Sequence, residues 1–230
     1  DQAARQVTDL YRSISGLSLY SYGTATLRGF RQENVLYDGL RGDPYAGFSV
    51  PQLFNIERVE VLKGPSGALF GGGDPGGVIN YVTRKPRARA QRTLEVQAGN
   101  AGFRAGSLEA TGPLGATSRV RYRAGLYAET EEGVRWNTDR DGVIADGSLA
   151  FDVGQTGELI VQLTDIIQQL GGNRLRGVPV DDNGNFLASR RWNHNEASDF
   201  LDMVAKIALV RYRAWPAAYW DADVASRWFK

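Results

Sequence analysis

Residues 55–86, NIERVEVLKGPSGALFGGGDPGGVINYVTRKP, decide how this chain is read. They open on a strand pattern, ERVEVLKG, in which Val59 and Val61 point one way and Glu60 and Leu62 the other. Gly64–Pro65 breaks that pattern. SGALFGGG is too rich in glycine for a stable free helix, and Gly71 to Gly77 hold five glycines together with Asp74 and Pro75. A second strand, GVINYVTRK, follows, and Pro86 ends it. A phosphate-binding loop does not fit. No Gly-Lys-Ser/Thr follows the glycines, no Rossmann unit surrounds them, and Lys63 precedes the loop.

Upstream, residues 1–16 read as a short helix, with Val7, Leu10 and Ile14 at spacings of three and four and Gly16 as the stop. Residues 17–40 alternate like short strands, with turns at Gly29, Asp38–Gly39 and Gly42–Asp43–Pro44. Val50–Arg58 reads as a short helix or turn feeding ERVEVLKG. Downstream of Arg92 the period becomes two. Leu94, Val96 and Ala98 share a face. Val120, Tyr122, Ala124, Leu126 and Ala128 form an apolar row, with Arg121, Arg123 and Glu129 facing away. Val143–Val153 repeats the scheme with Asp146, Ser148 and Asp152 on its polar face, and Leu159, Val161 and Leu163 oppose Glu158, Gln162 and Thr164. Each stretch is about 9–11 residues, the length a tilted strand needs to cross a bilayer.

The joins alternate. Gly112–Gly115 and Gly154–Gly157 are short turns, while residues 131–142 and 171–199 are long and polar. Short turns on one side and long loops on the other suit a membrane barrel. A soluble β-sandwich also has period-two strands, and periodicity alone leaves both open. Residues 200–215 read as a further strand, with Met203, Ala205, Ile207 and Leu209 on one face. Residues 215–230, WPAAYWDADVASRWFK, show no clear period; their tryptophans suit a membrane interface, and an altered end of the chain is the alternative.

Composition narrows the classes. Lys+Arg is 27 against 26 Asp+Glu, a net charge of +1, which is not the basic excess of a nucleic-acid binder. Glycine, at 28 of 230 residues, exceeds the usual share of about 7 %, and it concentrates in turns and one loop. Cysteine is absent, which excludes disulfides, thiolate catalysis and cysteine metal sites. No apolar run is long enough for a transmembrane helix. The chain starts at Asp1 with no signal peptide, so a processed or truncated N-terminus is expected. No catalytic constellation appears: there is no G-x-S-x-G, and the single histidine, His194, lies in a polar loop. No Asp/Glu/His cluster has metal-ligand spacing. A compact Gly-rich unit followed by barrel-like strands suggests a gated channel rather than an enzyme.

Four segments carry a family resemblance: LRGF at 27–30, YDGL at 37–40, NIERVEVLKGPSGALFG at 55–71 and PGGVINYVTRKP at 75–86. In order and spacing they resemble the plug domain of the TonB-dependent siderophore receptors, and residues 96–115 resemble the first barrel hairpin. The resemblance implies a mixed α/β plug domain over residues 1–89, lacking its N-terminal part, followed by antiparallel transmembrane β-barrel strands over 90–230. In the family the plug sits inside a 22-stranded barrel; room for five or six strands is expected here, so the polypeptide is expected to be a fragment that does not transport alone.

The function implied is uptake of ferric siderophores across the outer membrane of a Gram-negative bacterium. It would be driven by the TonB–ExbB–ExbD complex, without an enzymatic step, resident cofactor or nucleic acid. Partners would be the siderophore and outer-membrane lipid. Haem or cobalamin is the alternative cargo, and a gene remnant or soluble plug-like β domain the alternative kind of protein. By the same resemblance Arg28, Arg41, Tyr45 and Phe54 would face the ligand, with Arg41 and Tyr45 in an apical loop. Gly29, Glu57, Arg58, Glu60, Gly64, Pro65, Gly71, Gly76, Gly77 and Arg84 would form the plug's structural motif, and Glu57, Arg58, Glu60, Arg84 and Lys85 would pair with the inner barrel wall.

Overall fold

A computed structural model describes residues 6–19, 25–32, 35–45, 52–64, 74–115, 119–172, 177–217 and 219–230. The chain opens with α1 (Val7–Tyr11). This helix is shorter than the sequence pattern suggests. Ser13 Oγ donates to the Leu10 carbonyl at 2.7 Å, Gly16 takes a left-handed φ of +78°, and the backbone enters a strand at Leu17. β1 (Leu17–Leu19), β2 (Ala25–Leu27) and β3 (Phe30–Arg31) make a small antiparallel sheet.

β4 (Val35–Tyr37), β5 (Leu40–Arg41), β6 (Ile56–Lys63) and β7 (Gly77–Thr83) make a second sheet in the order β5-β4-β7-β6. β4 and β7 pair in parallel, and β6 and β7 are antiparallel. GVINYVT is therefore a central strand, and its near-continuous apolar run follows from burial on both faces. Residues 53–55 form a bend and turn before β6, so the Val50–Arg58 expectation resolves as a turn where it is described.

The rest is one antiparallel sheet, hereafter the wall. It runs in chain order through β8 (Gln91–Ala98), β9 (Arg104–Leu114), β10 (Val120–Glu131), β11 (Arg140–Val153), β12 (Gly157–Gly171), β13 (Phe200–Ala217) and β14 (Trp220–Phe229). The expected five or six strands are seven, because the aromatic tail forms β14. Residues 115–119, 154–156 and 218–219 join strands at one end, and 99–103, 132–139 and 172–199 at the other. β9 continues through Gly112, where a side chain would come within 2.9 Å of Ala90, so the first short turn starts at Gly115. The strands outrun the expected length because their mainly apolar outer rows end before they do: on β12 that row holds Leu159, Val161, Leu163 and Ile167, is interrupted by Asp165, which pairs with Lys206 of β13 at 3.3 Å, and then meets Gln169.

The wall is inside-out. Its buried face carries Glu109, Arg123, Glu129, Asp146, Gln162 and Gln168. Its other face exposes Leu94, Leu126, Leu163 and Val204, between 52 and 75 % accessible. The two small sheets and α1 pack on the polar face. An apolar cluster at that junction joins Val7, Tyr11, Leu27, Tyr37, Ile79 and Tyr81 to Tyr127, Ile144 and Ile166 of the wall. Among the described residues no helix is long and apolar enough to cross a membrane.

Gly76 fixes how closely the small sheets approach each other. A Cβ there would lie 2.0 Å from the Leu27 carbonyl oxygen. Gly76→Ala is expected to cost about 1–3 kcal/mol, the usual penalty of overpacking, read as a lower denaturant midpoint and faster proteolysis of 56–83. Gly147→Ala meets open space and should stay within about 0.5 kcal/mol of the parent; equal effects at the two positions would refute the packing argument.

Candidate functional site

The polar face of the wall and the exit of β7 form one hydrogen-bonded seam. Arg84, just beyond β7, donates from Nη1 to Glu109 Oε2 at 2.8 Å. The same carboxylate oxygen accepts from Arg123 Nη2 at 2.9 Å. Arg123 Nη1 also pairs with Asp146 Oδ1, and Asp146 Oδ2 accepts from Gln162 Nε2 at 3.0 Å and Thr164 Oγ1 at 2.6 Å. Gln162 Oε1 accepts from Lys85 Nζ at 2.8 Å, and Lys85 also donates to Asp38 Oδ2 at 3.1 Å. Asp38 further accepts from the Thr83 backbone N–H at 3.1 Å and its hydroxyl at 2.8 Å. The seam thus starts and ends on the small sheet and passes through four adjacent wall strands, β9 to β12. A separate link runs from Gln52 Nε2 to Glu129 Oε1 at 2.8 Å.

Arg123 and Asp146 are essentially inaccessible, with side chains 1 and 0 % exposed. Such charges are tolerated only when every partner is present. Burial pulls the Lys85 ammonium below the usual lysine range, and Asp38 opposes that pull. Burial also raises the phenols of Tyr37, Tyr45 and Tyr81, and takes Tyr11 up to about 12. These phenols are neutral at ordinary pH, and the hydroxyls of Tyr11 and Tyr81 bond each other.

The residues singled out by sequence fall in different places. Arg28 occupies the turn between β2 and β3 with a left-handed φ of +56°, and its side chain is exposed. Its N–H donates to the Gly16 carbonyl at 2.7 Å, and its guanidinium lies 3.7 Å from where a Gly64 side chain would begin. Gly29 beside it has φ +85°. Phe54 is half-buried, stacked on Tyr127 at 5.5 Å with the Arg123 guanidinium 5.7 Å from its ring. Arg41 is exposed at the end of β5. Tyr45 does not sit on a loop surface: it is 2 % exposed, with its ring stacked 6.4 Å from Tyr37. An apolar ring with one hydroxyl is accommodated better in that core than in water.

Of the five plug charges expected to meet the wall, two, Arg84 and Lys85, reach the seven strands of this chain. Arg58 and Glu60 instead pair with each other at 2.8 Å on exposed β6. Glu60 also accepts from Asn80 at 2.9 Å, which, with Arg58, holds its carboxyl below the usual range. Glu57 is exposed. Gly77 has φ +139°, and a Cβ on it would lie 2.1 Å from the Leu62 carbonyl oxygen. Pro65 and Gly71 lie outside the described residues.

A cleft of about 350 Å³ between β6 and the first wall strands brings together Phe54, Glu57, Arg58, Arg84, Glu109 and Tyr127. Arg28, Arg41 and Tyr45 do not line it. Among the described residues no group of His, Cys, Asp and Glu is placed to hold a metal ion. Sequence reasoning missed Asp38 and Thr83 as seam residues, Gln52 as the partner of Glu129, and Glu109 as the wall partner of Arg84. Their only signal is a polar side chain alternating with apolar ones, which marks a face but not a partner.

Asp146→Ala leaves buried Arg123 with Glu109 as its remaining carboxylate, and is expected to cost about 3–5 kcal/mol. Arg58→Ala removes an exposed pair and should cost about 0–1 kcal/mol. Denaturant midpoints of the two variants measure the contrast. Comparable small losses would mean that the seam is not a closed, desolvated network.

Residues 1–78 match the family model described as TonB-dependent Receptor Plug Domain. The metal-pseudopaline receptor CntO of Pseudomonas aeruginosa is 34 % identical over 114 residues, covering 50 % of this chain and 16 % of that protein. The catecholate siderophore receptor Fiu of Escherichia coli is 29 % identical over 178 residues, covering 73 % of this chain and 23 % of Fiu. The ferripyoverdine receptor of P. aeruginosa is 30 % identical over 162 residues, covering 66 and 20 %. These relatives are transport receptors, not enzymes, and the chain spans less than a quarter of the length of each. In fold, the whole chain superposes on 31 % of a chain in the FpvAI–pyocin S2 complex with a TM-score of 0.90 at 24 % identity. It superposes on 36 % of the open form of Fiu from E. coli K12 with a TM-score of 0.86 at 23 % identity. The small sheets and the antiparallel wall have the fold of those receptors, and residues 1–78 belong to the TonB-dependent receptor plug domain family.

Proposed function

We propose that this chain contributes the plug, residues 1–89, and the first seven strands, within residues 90–230, of an outer-membrane β-barrel that takes up metal chelates of the ferric siderophore type. The observation that carries this reading is the inverted wall. Its buried face is charged and bonded to the plug, while its exposed face is apolar on successive strands. A soluble sandwich places those faces the other way round. Hydrocarbon on the outside and a hydrated, plugged lumen on the inside make both faces favourable. The relatives named above bind catecholate, pyoverdine or metal-pseudopaline ligands, which supports a chelated metal as cargo; energy would come from a TonB–ExbB–ExbD complex, and no resident cofactor is invoked. Within the plug, Arg28 is the best ligand-facing candidate, because it is exposed on a turn whose backbone is fixed.

The membrane arm is tested by Leu126→Arg on the outer face. An arginine there is expected to cost about 2–4 kcal/mol if the face meets hydrocarbon, reducing the folded fraction recovered from outer membranes. A neutral effect would favour a water-facing sheet.

The cargo arm is tested on the complete receptor with ferric catecholate, ferripyoverdine and metal-pseudopaline. One of them is expected to bind and to support metal-limited growth only when TonB is present. Arg28→Ala should weaken that binding by about tenfold or more, the worth of a charge-assisted hydrogen bond. Failure of all three chelates to bind would overturn the assignment.

A further inference from the structure

The turn joining β4 to β5 is held to the wall by arginines that grip its backbone. Arg227 of β14 donates from Nη1 to the Tyr37 carbonyl at 3.2 Å. Its Nη2 is shared among the carbonyls of Leu40 at 3.3 Å, Arg41 at 2.8 Å and Gly42 at 2.7 Å. The guanidinium carbon lies 5.3 Å from the Tyr37 ring centroid and 5.4 Å from that of Phe229. Arg211 of β13 donates to the Asp38 carbonyl at 3.3 Å and is itself held by Asp223, 2.8 Å from its Nε.

The arrangement answers a specific need. β5 is an edge of its sheet, and a short edge strand has carbonyls that no neighbouring strand can satisfy. Here a planar guanidinium, with several donors in a fixed fork, takes the place of that strand. The approach is tight. Gly42 has φ +110°, and a side chain on it would lie 2.9 Å from the Phe229 ring. Because the acceptors are backbone oxygens, the grip does not depend on the side chains of the turn. The opposite edge of the sheet, β6, exposes Glu57, Arg58, Glu60, Leu62 and Lys63.

We propose that Arg227 is a positioning residue that anchors the Tyr37–Gly42 turn to the wall. The β4–β5 end of the plug sheet is then held directly to the wall. The inference does not depend on which chelate is carried, and its test contains no ligand. Hydrogen–deuterium exchange of the complete receptor in detergent reads it directly. Arg227→Ala is expected to raise exchange at amides 35–42 by about tenfold or more and to leave 56–63 unchanged. Arg227→Lys, which keeps the charge but loses the fork, should fall between the two. The Ala variant leaves a guanidinium-shaped gap, so about 10 mM methylguanidinium should restore protection by mass action. Unchanged exchange in both variants would overturn the proposal. So would a rise spread equally over 35–42, 56–63 and 77–83, which would make Arg227 a general stability residue. Where the Ala variant does not fold, the Lys variant alone decides: an intermediate rise confined to 35–42 supports the anchor, and parent-like protection refutes it.

Discussion

Everything in this molecule turns on the fact that a buried charge must be paired. The wall directs Arg123, Asp146 and Glu109 inward, where Arg123 and Asp146 are out of reach of solvent. In a medium of low dielectric each charge would cost several kcal/mol alone. The small sheets resolve that cost by position. β7 runs centrally between β4 and β6, so its exit delivers Thr83, Arg84 and Lys85 to the wall in succession. Arg84 and Arg123 share one carboxylate, and Gln162 lies between Asp146 and Lys85. Separating the sheets would take Arg84 from Glu109 and Lys85 from Gln162, while Arg123 would keep Glu109 and Asp146 within the wall.

Close packing provides the second constraint. Gly76 and Gly77 allow the backbone of β7 to pass against the carbonyls of Leu27 and Leu62. Side chains there would push the two small sheets apart, and the Tyr11–Tyr81 contact and the cluster around Ile79 would lose their fit. The glycine-dense loop is therefore explained, where it is described, by steric need and not by a bound phosphate.

The strands of residues 56–63 and 77–83 were legible because alternation, turn residues and a continuous apolar run all agree locally. The wall strands were legible for the same reason, with one failure. In β14, Trp220, Val224 and Trp228 do alternate with Asp223 and Arg227, but Ala222, Ser226, Ala225 and Phe229 blur the polarity of both rows. The register with β13 also shifts between Ala214 and Ala217. Tyr45 could not be placed because a phenol suits a ligand surface and a core equally well. The seam was illegible for a stronger reason. Lys85 and Gln162 are 77 positions apart, and no local pattern says which polar residue on one sheet will meet which on the other.

A seam built this way is strict in geometry yet modest in net stability. Breaking one partner strands a charge in a dry place, which is costly, whereas opening the whole seam to water lets every ion be hydrated at once. The cost of separation therefore falls steeply once water can enter, a behaviour that an apolar interface of equal size does not share, because its exposed area is penalised throughout. The arginine grip on the β4–β5 turn follows the same logic with backbone oxygens in place of carboxylates. Its acceptors carry no formal charge, so hydrating them returns less free energy than hydrating a carboxylate. That difference in chemistry makes the carboxylate seam the part of the junction that water can release, and the carbonyl grip the part that holds.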